Sequence, residues 1–279
     1  MNICLAGYGL IGSVWERHYR EAGYSVAVWS RTPRSLPNYV AHPREAVAGA
    51  DVIHLVVSAP PAVRLFLRRA LPSMKPGALV LQSTTIDPAS AESFHTQVME
   101  AGGLYLEAPF TGSKPAAESR QLVFFTGGSS EARERAEPLL NLLSTQRIPF
   151  ETPGQAAAIK LAMNLQIASV MEALAEGLHL AQSYGIEQTQ FFEVLERNVA
   201  HSKLADFKRA KLESSDFSPQ FSVKWLLKDL RLALGSMPAG ELPATRSVAQ
   251  QLRKAVACGL ADQDFAAMVT LFRSWKKNP

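Results

Sequence analysis

Gly7-Tyr8-Gly9-Leu10-Ile11-Gly12 is the stretch that decides the fold, because its three glycines have the spacing GxGxxG between an apolar strand pattern and a helical pattern. Residues 3–6 form the apolar run before it, and residues 13–22 have helical character. A second strand pattern follows at residues 25–29. A strand, a glycine-rich turn, a helix and a second strand in this order are typical of a βαβ unit that binds a dinucleotide.

Each glycine of this turn has a physical role in such a unit. Gly7 permits the tight turn, Gly9 lets the backbone approach a pyrophosphate, and Gly12 lets the helix pack close to the strand. The first turn of the helix offers unpaired N–H groups and a partial positive charge to the phosphates. We therefore expect Gly7, Gly9, Leu10, Ile11 and Gly12 to bind the cofactor. The alternative is a glycine-rich turn of an α/β domain that binds no ligand.

The residues after the second strand pattern indicate which dinucleotide is bound. A protein that binds NAD usually has Asp or Glu there for the ribose 2′-hydroxyl. This chain has Ser30, Arg31, Thr32 and, two residues on, Arg34 instead. A guanidinium matches a phosphate with two parallel hydrogen bonds, so the sequence predicts NADP(H), with Ser30, Arg31 and Thr32 in contact with it. The alternative is that both arginines are solvated loop charges.

The rest of the first half alternates strand and helix patterns, as in a doubly wound α/β sheet. Ligands of such sheets bind outside the carboxyl ends of the strands. Val57 and Ser58 end one strand pattern, and Thr85 follows the next, so we expect these three residues to face the cofactor. The further strand patterns lie at residues 51–57, 78–81, 104–107, 122–126 and 146–150.

The second half has only helical patterns. A helical composition extends over residues 155–184 with Gly177 as its one internal glycine, and the last helical pattern covers residues 263–275. The predicted fold is therefore an N-terminal Rossmann-type doubly wound sheet in residues 1–152, followed by an all-α C-terminal domain in residues 153–279. The long helix joins the two.

Composition narrows the class of protein. The chain has 279 residues, a net charge of +4 and no concentrated basic face, so a nucleic-acid partner is not expected. Cys4 and Cys258 have no metal-ligand spacing, and no metal site is predicted. No apolar run approaches the length of a membrane span, and Met1 leads directly into the first strand pattern. We expect a cytoplasmic protein without a membrane partner.

Two polar residues interrupt the apolar start of the long helix. Lys160 and Asn164 are four residues apart, so they share one face of the helix. A lysine in apolar surroundings has a lowered pKa and can donate or remove a proton near neutral pH. The alternative, which the spacing alone favours, is an ordinary lysine whose stem packs on the helix surface. His54, in an apolar strand pattern, is interpreted as a core histidine with its hydrogen bonds satisfied.

Several separate motifs carry a resemblance that covers essentially the whole chain. The chain resembles the β-hydroxyacid dehydrogenases, the family of 3-hydroxyisobutyrate dehydrogenase and the glyoxylate/succinic semialdehyde reductases. The motifs are the glycine-rich turn, EAPFTGSKPAA at 107–117, GQAAAIKLAMN at 154–164, KDLRLA at 228–233 and GLADQDFAA at 259–267.

The resemblance implies a role for each matching position. Lys160 corresponds to the catalytic lysine, which protonates the alkoxide as NADPH delivers hydride to a carbonyl. Thr111, Gly112 and Ser113 match the loop that binds the substrate carboxylate, and Asn164 helps to hold the substrate. Thr85 and Lys228 match positions that contact the cofactor or substrate and close the site, while Asp229 orients its neighbours. The resemblance also implies a C-terminal domain like that of 6-phosphogluconate dehydrogenase, and a homodimer or tetramer.

The 107–113 loop departs from the family pattern. Glu107, Phe110 and Thr111 stand where the family usually has Asp, Val and Ser, and Phe110 and Thr111 add bulk that could narrow the pocket. The substrate is expected to be a small carboxylate-bearing aldehyde or hydroxyacid, as in the glyoxylate/succinic semialdehyde reductases. One alternative is a 3-hydroxyisobutyrate dehydrogenase proper. Another, from a different class, is a catalytically inactive NADP-binding sensor or scaffold.

Overall fold

The computed structural model describes residues 1–272, and its first half alternates strands and helices as the sequence predicts. A single 3-10 turn, Leu71–Ser73, follows the third helix. The elements are β1 (Asn2–Ala6), α1 (Gly12–Glu21), β2 (Ser25–Trp29), α2 (Pro43–Val47), β3 (Val52–Leu55), α3 (Pro60–Ala70), β4 (Leu79–Gln82), α4 (Pro88–Glu100), β5 (Leu104–Glu107), β6 (Phe110–Thr111), α5 (Lys114–Glu118), β7 (Leu122–Gly128), α6 (Ser130–Leu143) and β8 (Ser144–Phe150).

These strands form one sheet in the order β2-β1-β3-β4-β5-β7-β6, with β8 paired to β7. The strands β1 to β5 are parallel to one another, whereas β7 is antiparallel to β5 and β6. The chain reverses its direction of winding between β1 and β3, which are neighbours in the sheet. This is the topological switch point, and a doubly wound sheet binds its ligand in the crevice there. The predicted α/β fold is confirmed.

Side chains that alternate along the strands build two separate apolar layers. Ile53, Leu55 and Val80 lie on the face that packs against α3 and α4, which we call the α4 face. Val52, Leu79 and Leu81 lie on the opposite face against α1 and α6, which we call the α1 face. Every residue of β3 and β4 is buried, because helices cover both sides of the sheet.

Two short elements, β6 and α5, are absent from the sequence-based prediction. The strand β6 has two residues, and it pairs Phe110 with Phe124 and Thr111 with Val123 of β7. A strand this short has no detectable alternation of apolar and polar side chains. The antiparallel pairing fixes the backbone of the 110–113 loop at the edge of the sheet.

The second half is helical, as predicted, and has its own apolar core. The last helical pattern, 263–275, is a 3-10 segment over Phe265–Leu271 instead, and residues 273–275 lie outside the described part of the chain. The α-helices are α7 (Pro153–Ser183), α8 (Gln188–Leu195), α9 (Lys203–Ser214), α10 (Val223–Gly235) and α11 (Pro243–Ala257).

The long helix α7 crosses the division between the two compact units of the chain, Met1–Leu161 and the part from Ala162 onward. The predicted domain boundary at residue 152 lies just before α7 begins, rather than inside the helix. By length and composition α7 also qualifies as a candidate membrane span, with a mean hydropathy of 1.2 over an 18-residue window, so the expectation of no such segment was wrong on these two criteria. Core helices of soluble proteins satisfy the same criteria.

Candidate functional site

Two glycines of the 7–12 turn are required by the protein's own atoms. Gly7 has a φ of +119°, and a Cβ there would lie 2.2 Å from the carbonyl oxygen of Val56. A Cβ on Gly12 would lie 2.0 Å from the carbonyl oxygen of Gly7. Both contacts are far too short for any side chain, so the passage from β1 into α1 can be built only with glycine at positions 7 and 12.

Gly9 differs from both, because the fold does not need a glycine there. A Cβ on Gly9 would meet no protein atom within 4 Å, and its φ is not in the left-handed region. The residue is exposed at the start of α1, which has no side-chain cap and no acidic residue in its first turn. The unobstructed space at Gly9, beside helix N–H groups without a side-chain cap, fits a pyrophosphate. Leu10 and Ile11, also predicted to bind, lie in the same turn, with Leu10 51% exposed.

The segment after β2 is shaped by a short internal hydrogen bond. The buried Ser30 hydroxyl donates to the carbonyl oxygen of Thr32 at 2.6 Å. Arg31 and Arg34 are exposed, and Arg34 donates to the carbonyl oxygen of Tyr8 at 3.4 Å. Arg34 therefore joins this segment to the glycine-rich turn. Arg31 belongs to the same exposed segment.

The loops that follow β3 and β4 are bonded directly to each other. The Val57 amide donates to the Thr84 hydroxyl at 2.9 Å, and the Ser83 amide donates to the carbonyl oxygen of Leu55 at 2.8 Å. Because both strands end at the carboxyl edge of the sheet, these bonds bring the predicted cofactor residues Val57 and Ser58 alongside Thr84 and its neighbour Thr85.

A buried polar network lies beneath the second of these loops, on the α4 face. Gln82 brackets Thr84: its Nε2 donates to the Thr84 carbonyl oxygen at 2.8 Å, and its Oε1 accepts from the Thr84 amide at 2.7 Å. The Glu107 carboxyl accepts from Gln82 Nε2 at 3.0 Å and from the Tyr105 hydroxyl at 2.6 Å. Burial, opposed only in part by these two hydrogen bonds, raises the pKa of Glu107 from 4.5 to about 8.

A second polar network occupies the α1 face. His54 is completely buried, with Nδ1 2.8 Å from the Tyr19 hydroxyl and Nε2 2.9 Å from Ser83 Oγ. The indole of Trp15 stacks on the imidazole with 4.5 Å between ring centroids. Burial lowers the pKa of His54 from 6.5 to about 3, so the ring is neutral. The interpretation of His54 as a satisfied core histidine is confirmed.

The 110–113 loop owes its shape to packing on the α1 face. The Phe110 ring contacts Trp15 and Phe124, with centroid distances of 5.2 and 5.7 Å. The ring thus packs into the aromatic core of the α1 face. Gly112 has a φ of +126°, and a Cβ there would lie 2.6 Å from Leu122 Cδ2. The fold itself requires that glycine, whereas Ser113, whose hydroxyl makes no capping hydrogen bond to α5, is not explained in this way.

Lys160 lies in the second turn of α7, whose beginning is anchored to α4. Glu92 of α4 accepts a hydrogen bond from the Gly154 amide at 2.7 Å. A carboxylate at the amino end of a helix also interacts favourably with the helix dipole. The anchor fixes where the helix that carries Lys160 begins, relative to the loop that precedes α4 and contains Thr85.

Asn164 and Lys228, both predicted to bind substrate, are joined through one carboxylate. The Asn164 amide donates to Asp229 Oδ2 at 2.6 Å, and Lys228 Nζ lies 2.6 Å from Asp229 Oδ1. Asp229 is buried and bonds both neighbours, as expected for a residue that orients them.

The sequence analysis missed Gln82, Tyr105 and Glu107 as a network, although each is a polar interruption or partner in an apolar strand. Their shared signal is strand register, since Gln82 pairs with Glu107 across β4 and β5. No group of three His, Cys, Asp or Glu side chains suited to a metal ion occurs among residues 1–272.

Comparison with known proteins places both halves of the chain. Residues 2–151 match the family described as "NAD binding domain of 6-phosphogluconate dehydrogenase". Residues 154–272 match "NAD-binding of NADP-dependent 3-hydroxyisobutyrate dehydrogenase".

Individual relatives include a reductase, a dehydrogenase and a protein named as a nuclear factor. The chain is 28% identical to glyoxylate/succinic semialdehyde reductase 2 of Arabidopsis thaliana over 99% of this chain and 80% of that protein. It is 27% identical to the human cytokine-like nuclear factor N-PAC over 96% of this chain and 50% of that protein. A solved structure of 3-hydroxyisobutyrate dehydrogenase from Mycobacterium tuberculosis with L-serine has a TM-score of 0.89 and 26% identity, covering 98% of this chain and 99% of that one.

The two family matches, joined to a glycine-rich turn with an open cradle at Gly9, show that the chain belongs to the β-hydroxyacid dehydrogenases, the family of 3-hydroxyisobutyrate dehydrogenase, and is an NAD(P)-dependent oxidoreductase.

Proposed function

We propose that this protein is an NADP(H)-dependent reductase of small aldehyde or keto acids, acting on substrates like those of the glyoxylate/succinic semialdehyde reductases. The observation that carries the cofactor preference is the pair Arg31 and Arg34 after β2, with no carboxylate in residues 30–34. A carboxylate there would accept from the 2′-hydroxyl of NAD(H) and repel the 2′-phosphate of NADP(H). Two guanidinium groups have the opposite preference.

The chemistry assigns one task to each group. A bound nicotinamide would supply hydride to the carbonyl carbon. Lys160 donates a proton to the carbonyl oxygen, and it removes that proton when the reaction runs in reverse. The hydroxyls of Thr111 and Ser113, with the backbone N–H groups of their loop, bind the substrate carboxylate. Asn164 and Lys228, held in place by Asp229, complete the set of substrate ligands.

The first experiment measures oxidation of NADPH and of NADH at 340 nm with glyoxylate, succinic semialdehyde and methylmalonate semialdehyde. Turnover with glyoxylate or succinic semialdehyde, and a lower KM for NADPH than for NADH, supports the proposal. Preference for methylmalonate semialdehyde indicates 3-hydroxyisobutyrate dehydrogenase proper.

The role of Lys160 is tested on whichever substrate is turned over. Lys160→Ala is expected to lower kcat roughly 10²–10⁴-fold, the span for loss of a general acid, with the Kd for NADPH little changed. Lys203→Ala, an exposed lysine at the start of α9, is the matched control and keeps wild-type kcat. An unchanged kcat in Lys160→Ala contradicts the assignment.

A second candidate function is a binding protein without catalysis, a sensor or scaffold. It is favoured by the similarity to N-PAC, whose name is that of a nuclear factor, and by the altered 107–113 loop. Tight binding of NADPH together with no turnover of any acid in the panel would support it.

We also propose a cytoplasmic homodimer that binds neither nucleic acid nor membranes. Exposed apolar side chains at the end of α7 and beyond it, Leu180 at 63% and Tyr184 at 81% exposed, support association with a second copy. Light scattering on the purified protein measures the mass and separates a dimer from a tetramer.

A further inference from the structure

Two independent hydrogen-bond chains reach consecutive residues of the loop after β4, one from each face of the sheet. On the α1 face, the Tyr19 hydroxyl bonds His54, and the other nitrogen of His54 bonds the Ser83 hydroxyl. Each of these side chains is fully or almost fully buried. The chain of bonds therefore connects α1, through β3, to Ser83.

On the α4 face, the second chain runs from Tyr105 through Glu107 and Gln82 to Thr84. The side chain of Gln82 makes both a donor and an acceptor contact with the Thr84 backbone, at 2.8 and 2.7 Å. Tyr105, Glu107 and Gln82 are each at most 1% exposed. Thr84 can rotate only if Gln82 gives up two buried hydrogen bonds, and an unpaired buried polar group is costly.

The two series of hydrogen bonds end at adjacent residues, Ser83 and Thr84, beside the cofactor loops. Thr84 accepts the hydrogen bond from the Val57 amide, and Thr85 is the next residue. Val57 and Thr85 are both proposed cofactor contacts. A sheet interior built only for stability has no need of a histidine, a glutamine and a glutamate in the three central strands, because apolar side chains of similar volume fill such positions without desolvation cost.

We propose that His54 and Glu107 are positioning residues that hold Ser83 and Thr84 from opposite faces of the sheet, and thereby set the affinity of the Val57 and Thr85 loops for the dinucleotide. The inference rests on the proposed placement of the cofactor beside these loops. It requires no contact between either residue and the cofactor.

The experiment removes the last hydrogen bonds of each series, those that reach Ser83 and Thr84. NADPH binding is then measured by fluorescence titration of the whole protein. Ser83→Ala removes the hydroxyl that His54 bonds, and Gln82→Met removes both contacts to Thr84 at nearly constant volume. Each is expected to raise the Kd for NADPH about tenfold, the effect of losing one to two hydrogen bonds. In both variants kcat at saturating NADPH should change less than twofold, because Lys160 is untouched.

Ser144→Ala is the matched control. It also removes a buried hydroxyl, which donates to the Leu140 carbonyl oxygen at 2.6 Å. Ser144 lies at the start of β8 and belongs to neither series of hydrogen bonds. Its Kd should equal that of the wild type. Ser83→Thr keeps the hydroxyl and is expected to restore binding to within about threefold, in line with one retained hydrogen bond.

The outcomes separate the two proposals. A wild-type protein that does not bind NADPH overturns the proposed cofactor. A wild-type protein that binds it, with Ser83→Ala and Gln82→Met that lose thermal stability at an unchanged Kd, overturns the positioning role and leaves the proposed function standing.

Discussion

The two faces of the central sheet both hold the loop after β4, one through a base and the other through an acid. Beneath the loop after β4, the α1 face places an imidazole, His54, among aromatic rings, and the α4 face places a carboxyl, Glu107, between a hydroxyl and an amide. Burial disfavours the charged form of both. It lowers the pKa of His54 to about 3 and raises that of Glu107 to about 8.

The difference teaches that the two faces are sensitive to opposite directions of pH change. His54 becomes charged on acidification and Glu107 on alkalinisation. Between pH 4.5 and 6.5 the two contributions to the free energy of unfolding have opposite slopes of about 1.4 kcal/mol per pH unit and cancel. The pair alone therefore gives a plateau in this interval and a fall in stability on either side of it.

The largest expected effect comes from the α4 face, where Glu107 controls how stability depends on pH. The folded-state pKa of Glu107, about 8, lies above its ordinary value of 4.5, so its contribution is fully present below pH 4.5 and is lost as pH rises to 8. The loss is on the order of 5 kcal/mol at about 1.4 kcal/mol per unit. In Glu107→Gln the fall above pH 6.5 disappears, and between pH 4.5 and 6.5, where the two contributions cancel in the wild type, the free energy of unfolding rises with pH. Urea unfolding across pH 4.5 to 8 measures both changes. A variant that keeps the wild-type alkaline slope contradicts the raised pKa.

The α1 side gives the mirror experiment, with an effect of similar size. The folded-state pKa of His54, about 3, lies below its ordinary value of 6.5. Its contribution is therefore present above pH 6.5 and lost as pH falls toward 3, again on the order of 5 kcal/mol. His54→Gln removes this acid slope while Glu107 still gives the alkaline one. Loss of both slopes in either variant would show that the faces are not independent.

A smaller effect sharpens the contrast between the faces as packing surfaces. Phe110→Ala removes a half-buried ring from the α1 face, and Phe94→Ala removes a fully buried ring from the α4 face. We expect Phe94→Ala to lower the free energy of unfolding by about 3–5 kcal/mol and Phe110→Ala by about half as much. Only Phe110→Ala should raise the KM for the acid substrate, because Phe110 adjoins Thr111. Equal KM values in both variants would contradict a coupling between the packing of Phe110 and substrate binding by the 110–113 loop.

The smallest effect lies at the edge of the sheet rather than on either face. Arg31→Ala is expected to raise the Kd for NADPH about tenfold, which corresponds to loss of one charge-assisted contact. The Kd for NADH should remain within twofold. Titration with both nucleotides measures the ratio, and an equal rise for both cofactors would remove the argument for the 2′-phosphate.

The sequence allowed much of the first unit to be predicted, for physical reasons that the structure makes plain. Strands buried on both faces read as apolar runs, and β2 and β5 were predicted at their observed bounds. Gly7 and Gly12 could be assigned because a close approach of backbone to backbone admits no other residue. The arginines after β2 were visible because they replace an expected carboxylate.

Other features depend on contacts that no local pattern reveals. Gln82 and Glu107 are 25 residues apart and meet only through the pairing of β4 with β5. Gly112 was assigned to substrate binding, yet its φ of +126° already favours glycine there. The last helical pattern has helical spacing, but Asp264 accepts amide hydrogen bonds from Gln220, Phe221 and Ala266. A 3-10 segment follows in its place.

The contrast among the three glycines of the first turn has a consequence for the history of such chains. Glycine at positions 7 and 12 is required by contacts with the protein's own backbone, so a homologue that no longer binds nucleotides would still need both glycines. Position 9 carries no such internal obligation. Glycine at position 9 is therefore retained only while a dinucleotide binds there, and other residues can replace it once binding is lost.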